Sequence, residues 1–218
     1  MTAGQITRQF IDGMLHTGIL EYIAVFFGIA SVWYSRKEDI LVYPVGLVST
    51  IIYTYLSLNA HLFGEASVNL FYTVMSIYGW ILWTRKDLQQ HPLLIITRSS
   101  SQEWIFQLSF CAAMYGIIFI SLSLLKKYFA PGAIPWADSL ASATAYTGMW
   151  LMAKKKLESW HWWIATNMAS IPLYFVKGYV FTSVFYFILL IMAFWGLAAW
   201  RKKLVNVSLL LLILIMHY

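Results

Sequence analysis

Charge is scarce in this sequence. Only 11% of its 218 residues are Asp, Glu, Lys or Arg, 61% are hydrophobic, and the mean hydropathy is +0.69. Soluble domains carry about 25% charged residues, so an ordinary water-facing exterior is excluded and an integral membrane protein is expected. Cysteine is nearly absent as well. Cys111 is alone and sits inside an apolar run, which rules out an internal disulfide or a thiolate metal cluster and leaves it a packing role. Catalytic signatures are missing: there is no HExxH, GxSxG, GxGxxG or GxxxxGK[ST], so no enzyme, metal, cofactor or built-in ATPase is expected. No basic n-region followed by a small-residue cleavage site precedes the first apolar run, so no removable signal peptide is expected. The net charge of +6 does not point to nucleic acid, because the basic residues form short clusters between apolar runs rather than one soluble stripe.

Seven apolar windows are long enough to cross a hydrocarbon core of about 30 Å. They fall near 19–35, 40–58, 65–84, 104–125, 134–153, 160–177 and 178–200. Residues 1–18 are polar with Ile6, Phe10 and Met14 at spacing four, which predicts a short helix in the membrane interface. The apolar tail 204–218 is expected to lie in the interface or pack on the bundle, with an eighth span left open. Pro44 and Pro172 fall inside windows and are expected to bend them or free carbonyls. Cytoplasmic joints retain Lys and Arg. With the N-terminus outside, eleven of the fifteen basic residues lie inside, leaving Arg8, Lys126, Lys127 and Lys177 outside, so the expected orientation is N-out and C-in.

A shift of 117 lays Glu21 on Asp138, Trp33 on Trp150, Gly79 on Gly196 and Trp83 on Trp200, and "GWILWTRK" on "GLAAWRKK". The second span matches better at 119, with Tyr55 on Tyr174. This reads as a duplicated three-helix unit, 19–84 and 134–203, with residues 85–133 supplying a linker and a fourth span. Three is odd, so the intervening span restores the direction and makes the units parallel. The expected fold is all-α, with seven transmembrane helices as 3+1+3 parallel repeats. Such repeats are a transporter device that holds substrate near midplane between the halves.

Helix positions three and four apart share a face. In the sixth window that rule collects Trp160, Trp163, Asn167, Ser170 and Tyr174, with Ile164, Met168 and Ile171 opposite. In the third it collects Asn69, Tyr72, Ser76, Gly79 and Trp83. Gln107 contributes from the fourth, Gly28 and Ser31 from the first, and Ser142 and Ala145 from the fifth. A buried amide without partners costs several kcal/mol, so Asn69 and Asn167 must meet another helix or a wet cavity. Helix-to-helix bonding is the plain alternative. Flanking aromatics and an amide suit a flat heteroaromatic carboxamide or a sugar hydroxyl. Glu21 and Asp138, near the outer ends of the first and fifth windows, either cap helices or form a mouth that attracts cations. Asp138, Ser139 and His161 make a weaker enzyme reading, a catalytic triad converging from separate spans.

The motifs resemble one family. "ESWHWWIATNMAS" fits the pattern WxxWxxxN through Trp160, Trp163 and Asn167, while "IPWADSLASATAYTGMWLMAKK" and "VNLFYTVMSIYGWILW" are similar to the fifth and third spans of the PnuC family. The resemblance covers roughly residues 20–202. It implies a bacterial inner-membrane transporter of nicotinamide riboside with a 3+1+3 fold like that of the SWEET sugar transporters. It also implies a substrate site lined by Trp160, Trp163 and Asn167, with Asn69, Tyr72 and Gln107 as partners. Family relatives carry thiamine or riboflavin, and "VYPVGLVST" resembles a branch divided between nicotinamide riboside and thiamine. Facilitated diffusion by alternating access is expected, because no buried charge relay offers ion coupling. The resemblance implies that a cytoplasmic vitamin kinase maintains the gradient without direct contact. Self-association is open. A receptor or scaffold that binds without flux is the competing reading from another class.

Overall fold

The computed structural model describes residues 3–59, 63–126 and 132–216. Backbone amides in an apolar environment have no water to bond, so long apolar runs close their hydrogen bonds internally as helices. Eight helices result among the described residues: α1 Ala3–His16, α2 Ile19–Lys37, α3 Val42–Asn59, α4 Phe63–Thr84, α5 Ser101–Leu125, α6 Pro135–Ala153, α7 Ser159–Val176 and α8 Val180–Met216. No strand occurs among the described residues, only isolated bridges such as Thr97–Lys156. Sequence signals set several ends. Ser100 accepts a hydrogen bond from the Glu103 amide while the Glu103 carboxylate accepts from the Ser100 amide at 2.8 Å, the reciprocal box that starts α5.

Packing joins the helices into a closed ring. α2 packs on α3, α3 on α4, α4 on α6, α6 on α7, α7 on α8, and α8 back on α2. α5 lies outside this ring against α6, and α1 lies outside it against α8. Small side chains explain the tightness of α6, where Ala137, Ala141, Ala143, Ala145 and Gly148 allow close approach.

Residues 117 apart occupy matching places. Tyr43 fills the space above Gly79 and meets Trp83 edge to face at 5.1 Å; Trp160 fills the space above Gly196 and meets Trp200 edge to face at 5.6 Å. A Cβ at either glycine would run into the ring it hosts. Trp83 Nε1 donates to the Ala153 carbonyl at 3.1 Å, and Trp200 Nε1 donates to the Ser35 carbonyl at 3.0 Å. Three equivalent pairs even touch each other. Ser35 Oγ lies 3.0 Å from Met152 Sδ, Lys155 Nζ lies 2.8 Å from Glu38 Oε1, and the rings of Trp83 and Trp200 are 6.3 Å apart. All three contacts between residues 117 apart lie at the same end of the ring.

That end is also ion-locked. Glu38 and Lys155 both adopt left-handed backbone, at φ 64° and 51°, just after α2 and α6. Lys203 closes the cluster on Glu38 Oε2 at 2.9 Å, and Lys155 lies 4.5 Å from the centre of the Trp83 ring. Burial alone would raise the Glu38 carboxyl, but the bonds and charges of Lys155 and Lys203 outweigh it and hold the group below its ordinary range.

Three expectations shift here. Every apolar window becomes a helix, yet by length and composition only Ser101–Leu125 and Val180–Asn206 among the described residues qualify singly as spans. Inward polar and small residues lower the hydropathy of the others. The tail does not form a separate segment: α8 continues unbroken through Met216, a length of about 55 Å at 1.5 Å per residue. Residues 217–218 lie outside the described ones. Pro44 is the third residue of α3, where its missing N–H leaves no bond unmade, so it starts a helix rather than bending one. α1 turns from α2 by 102° and anchors on α8 through Phe10 and Phe181, 5.9 Å apart.

Candidate substrate-binding site

The polar stripes of α4 and α7 meet. Tyr72 of α4 and Trp163 of α7 approach edge to face at 5.8 Å, and a Cβ at Gly148 of α6 would come within 3.3 Å of the Trp163 ring. Trp163 therefore stands where α4, α6 and α7 converge. One turn along, Thr166 bonds Thr144 of α6 at 2.9 Å and fixes the rotation of α7. That rotation leaves Met168, on the opposite face, 59% exposed and Asn167 only 3% exposed. The Asn167 amide makes no side-chain hydrogen bond among the described residues. Its donors and acceptor are thus open to bond a ligand.

The other predicted residues divide into two groups. Ser76 is buried one turn from Tyr72 on the same stripe. Asn69 donates to the Glu65 carbonyl of its own helix at 3.0 Å. Tyr174 stacks on Tyr186 of α8 at 5.1 Å and 12°, and its hydroxyl makes a long contact, 3.4 Å, with Glu65 Oε1. These residues border one face between α4, α7 and α8. Trp160 does not. It is 1% exposed, lodged against Gly196 in the core cluster with Trp83, Trp200 and Tyr43, and its buried Nε1 has no partner among the described residues. Gln107 departs as well. Its amide donates to Ser99 Oγ at 2.7 Å and accepts from Trp162 Nε1 at 3.1 Å, tying α5 to α7 in a fully buried position.

The predicted mouth is corrected in part. Asp138 Oδ1 pairs with Lys177 at 2.6 Å and Oδ2 accepts from the Ile134 amide at 2.6 Å, so its charge is neutralised and caps α6. Glu21 forms no ion pair among the described residues. Glu65 was missed by the sequence reading, although it extends the α4 stripe as Glu65, Asn69, Tyr72 and Ser76 at spacings of four, three and four. It lies close enough to Glu21, Asp138 and Lys177 to feel their charges. Tyr186, whose hydroxyl neighbours Ser170, Tyr174 and Glu65, was also missed because the α8 run is too uniformly apolar to reveal an inner face. The triad is not assembled: Asp138 meets Lys177 beyond the C-terminal end of α7, whereas His161 meets Arg201 at its N-terminal end. A 610 Å³ apolar groove lies elsewhere, between α2 and α8, lined by Phe26, Trp33 and Trp195 among others.

The profile of the nicotinamide mononucleotide transporter family matches residues 18–202. The chain belongs to that family, the PnuC family. It is 23% identical over 201 residues to the nicotinamide riboside transporter PnuC of Escherichia coli, covering 83% of this chain and 84% of that one. It is 24% identical over 165 residues to the riboflavin/roseoflavin transporter RibM of Streptomyces davaonensis, covering 75% and 76%. The crystal structure of the vitamin B3 transporter PnuC superposes with a TM-score of 0.70 at 20% identity, over 91% of this chain and 88% of the other. This likeness establishes the shared helical fold. PnuC membership and the apolar helices make the chain a membrane protein, and its bacterial relatives point to the inner membrane.

Proposed function

We propose that this PnuC-family protein takes up nicotinamide riboside by facilitated diffusion with alternating access. The carrying observation is the Tyr72–Trp163 contact beside the buried Asn167, with the acid Glu65 on the same α4 stripe. Nicotinamide riboside has a flat cationic ring, a carboxamide and ribose hydroxyls. Aromatic rings suit the cation, the Asn167 amide suits the carboxamide, and a carboxylate near the entrance favours positive charge. The relative named as a nicotinamide riboside transporter supports this substrate; the riboflavin relative supports a B-vitamin of another ring system, and thiamine, also cationic, is the second alternative.

Seven transmembrane helices arranged as 3+1+3 parallel repeats, with the N-terminus outside, are part of this reading. The matched glycine–aromatic pairs and the touching equivalents 117 apart support the repeat, and the concentration of Lys and Arg at one end supports the orientation. In the described conformation the basic end is packed shut, so the solute would enter from the acidic end and the two units would rock to release it inward. Among the described residues Glu21, Glu65 and Asp138 gather in the first turns of their helices rather than along the spans, which supports uptake driven by intracellular phosphorylation through a vitamin kinase rather than by ion coupling. Purified protein in liposomes is expected to exchange radiolabelled nicotinamide riboside without an ion gradient. Binding without flux would favour the receptor reading, and accumulation that requires an imposed ion gradient would overturn facilitated diffusion.

A further inference from the structure

At the basic end, away from the aromatic face, a cavity of 380 Å³ opens among Arg98, Leu157, Glu158, His161 and Arg201. Separate elements bring these residues together. Arg98 stands two residues ahead of the α5 cap, Leu157 and Glu158 form the joint between α6 and α7, His161 lies in the first turn of α7, and Arg201 lies on α8. The linker before α5 is pinned beneath this joint, because the Thr97 amide donates to the Lys155 carbonyl and the Leu157 amide to the Thr97 carbonyl, at 3.1 and 2.9 Å. The cavity is therefore held by backbone bonds rather than by loose side chains.

Its donors outnumber its acceptors. Glu158 is 5% exposed, and its Oε2 is taken by the Ser99 amide at 2.9 Å and the Ser99 hydroxyl at 2.7 Å. Arg98 and Arg201 are exposed and form no salt bridge among the described residues, although that carboxylate lines the same cavity. Arg201 reaches His161 Nε2 at 3.3 Å. A guanidinium can only donate, so Nε2 accepts and the proton of the neutral ring sits on Nδ1. Nδ1 is buried and has no partner. Arg98 thus has no acceptor, Arg201 spends one N–H on His161 and keeps the rest of its fork free, the His161 Nδ1–H is unpaired, and two positive charges share the cavity with one negative.

We propose that this pocket binds a phosphate group, with Arg98 and Arg201 as its two cationic forks. A planar guanidinium matches phosphate oxygens in pairs, which an ammonium cannot do. The phosphate comes from one of two sources: the headgroup of an anionic lipid in the leaflet at the basic end, or a phosphate ion or ester free in solution.

The full-length protein purified in detergent, mixed with equal phosphatidylglycerol and phosphatidylcholine, reports the first source by native mass spectrometry of the retained lipid. Calorimetric titration of inorganic phosphate into the protein in phosphatidylcholine nanodiscs reports the second. Selective retention of phosphatidylglycerol or a saturable phosphate isotherm is expected, weakened about tenfold in the double variant Arg98→Gln/Arg201→Gln, because paired charge-assisted bonds are lost. Lys202→Gln, a neighbouring exposed charge outside the pocket, is expected to change either signal by less than about twofold. Arg98→Lys/Arg201→Lys keeps the charge and removes the forks; it is expected to bind more weakly than the native chain, and it keeps the question open to measurement if the glutamine variant does not fold. Absence of both signals, or equal signals in the native and lysine-substituted proteins, would overturn the proposal.

Discussion

At the basic end of the ring, Glu38 holds Lys155 and Lys203 while Tyr43, Trp83, Trp160 and Trp200 interlock over two glycines. At the other end, Glu21, Glu65 and Asp138 stand in the first turns of α2, α4 and α6, and only Asp138 has an ion-pair partner among the described residues. The ring thus ends in a lock on one side and, on the other, in carboxyl groups of which two have no ion-pair partner among the described residues. In the proposed transport cycle the locked end serves as the pivot and the acidic end as the entrance for a cationic solute.

The sharpest way to break this contrast is to spoil the lock. Gly196→Leu forces a side chain into the volume held by the Trp160 ring and is expected to destabilise the protein by about 3 kcal/mol, since overpacking a filled core costs about 1–3 kcal/mol and this ring is hemmed in by Trp200. A drop in thermal unfolding temperature in detergent measures it, and an unchanged temperature would mean the ring moves freely. Glu38→Gln comes next, with an expected loss of about 2 kcal/mol because Lys155, 6% exposed, is left without its charged acceptor. Its sign with pH is fixed by the lowered carboxyl: the folded state favours the charged form, so the contribution is complete above the free glutamate value of about 4.3 and fades as pH falls through the lower folded value. Unfolding scans from neutral to acid pH are expected to converge for native and Glu38→Gln protein.

Two smaller effects probe the ligand side. Asn167→Ala is expected to weaken nicotinamide riboside about tenfold in calorimetry while leaving thermal stability nearly intact, as fits an amide with no internal partner. An equal affinity would return this residue to a structural role. Glu65→Gln is expected to lower affinity for cationic nicotinamide riboside by only about threefold and to leave neutral riboflavin unaffected, because a partly solvated carboxylate is screened. Equal changes for both ligands would show that Glu65 shapes the face rather than supplying charge.

Much of this was legible from helix periodicity. The stripe Asn69, Tyr72, Ser76 and the stripe Trp163, Asn167, Tyr174 are sequence patterns, and the structure joins them through the Tyr72–Trp163 contact. The same pattern placed Trp160 on the stripe, since a ring that packs and a ring that awaits a ligand look alike one helix at a time. Gln107 misled for a related reason: its partners Ser99 and Trp162 lie 8 and 55 residues away, and nothing in the local sequence announces the second.

The sequence alone determined the membrane class, the helical segments, the offset of 117 and the charge asymmetry of the joints, because hydropathy, periodicity and charge are properties of residues in order. Which polar groups are already satisfied was decided only by tertiary structure. A carboxylate becomes neutral when Lys177 folds against Asp138, an indole becomes core when Gly196 admits Trp160, and an amide becomes available when α7 turns Asn167 inward without a partner. Those outcomes depend on distances between chain segments that no local pattern encodes.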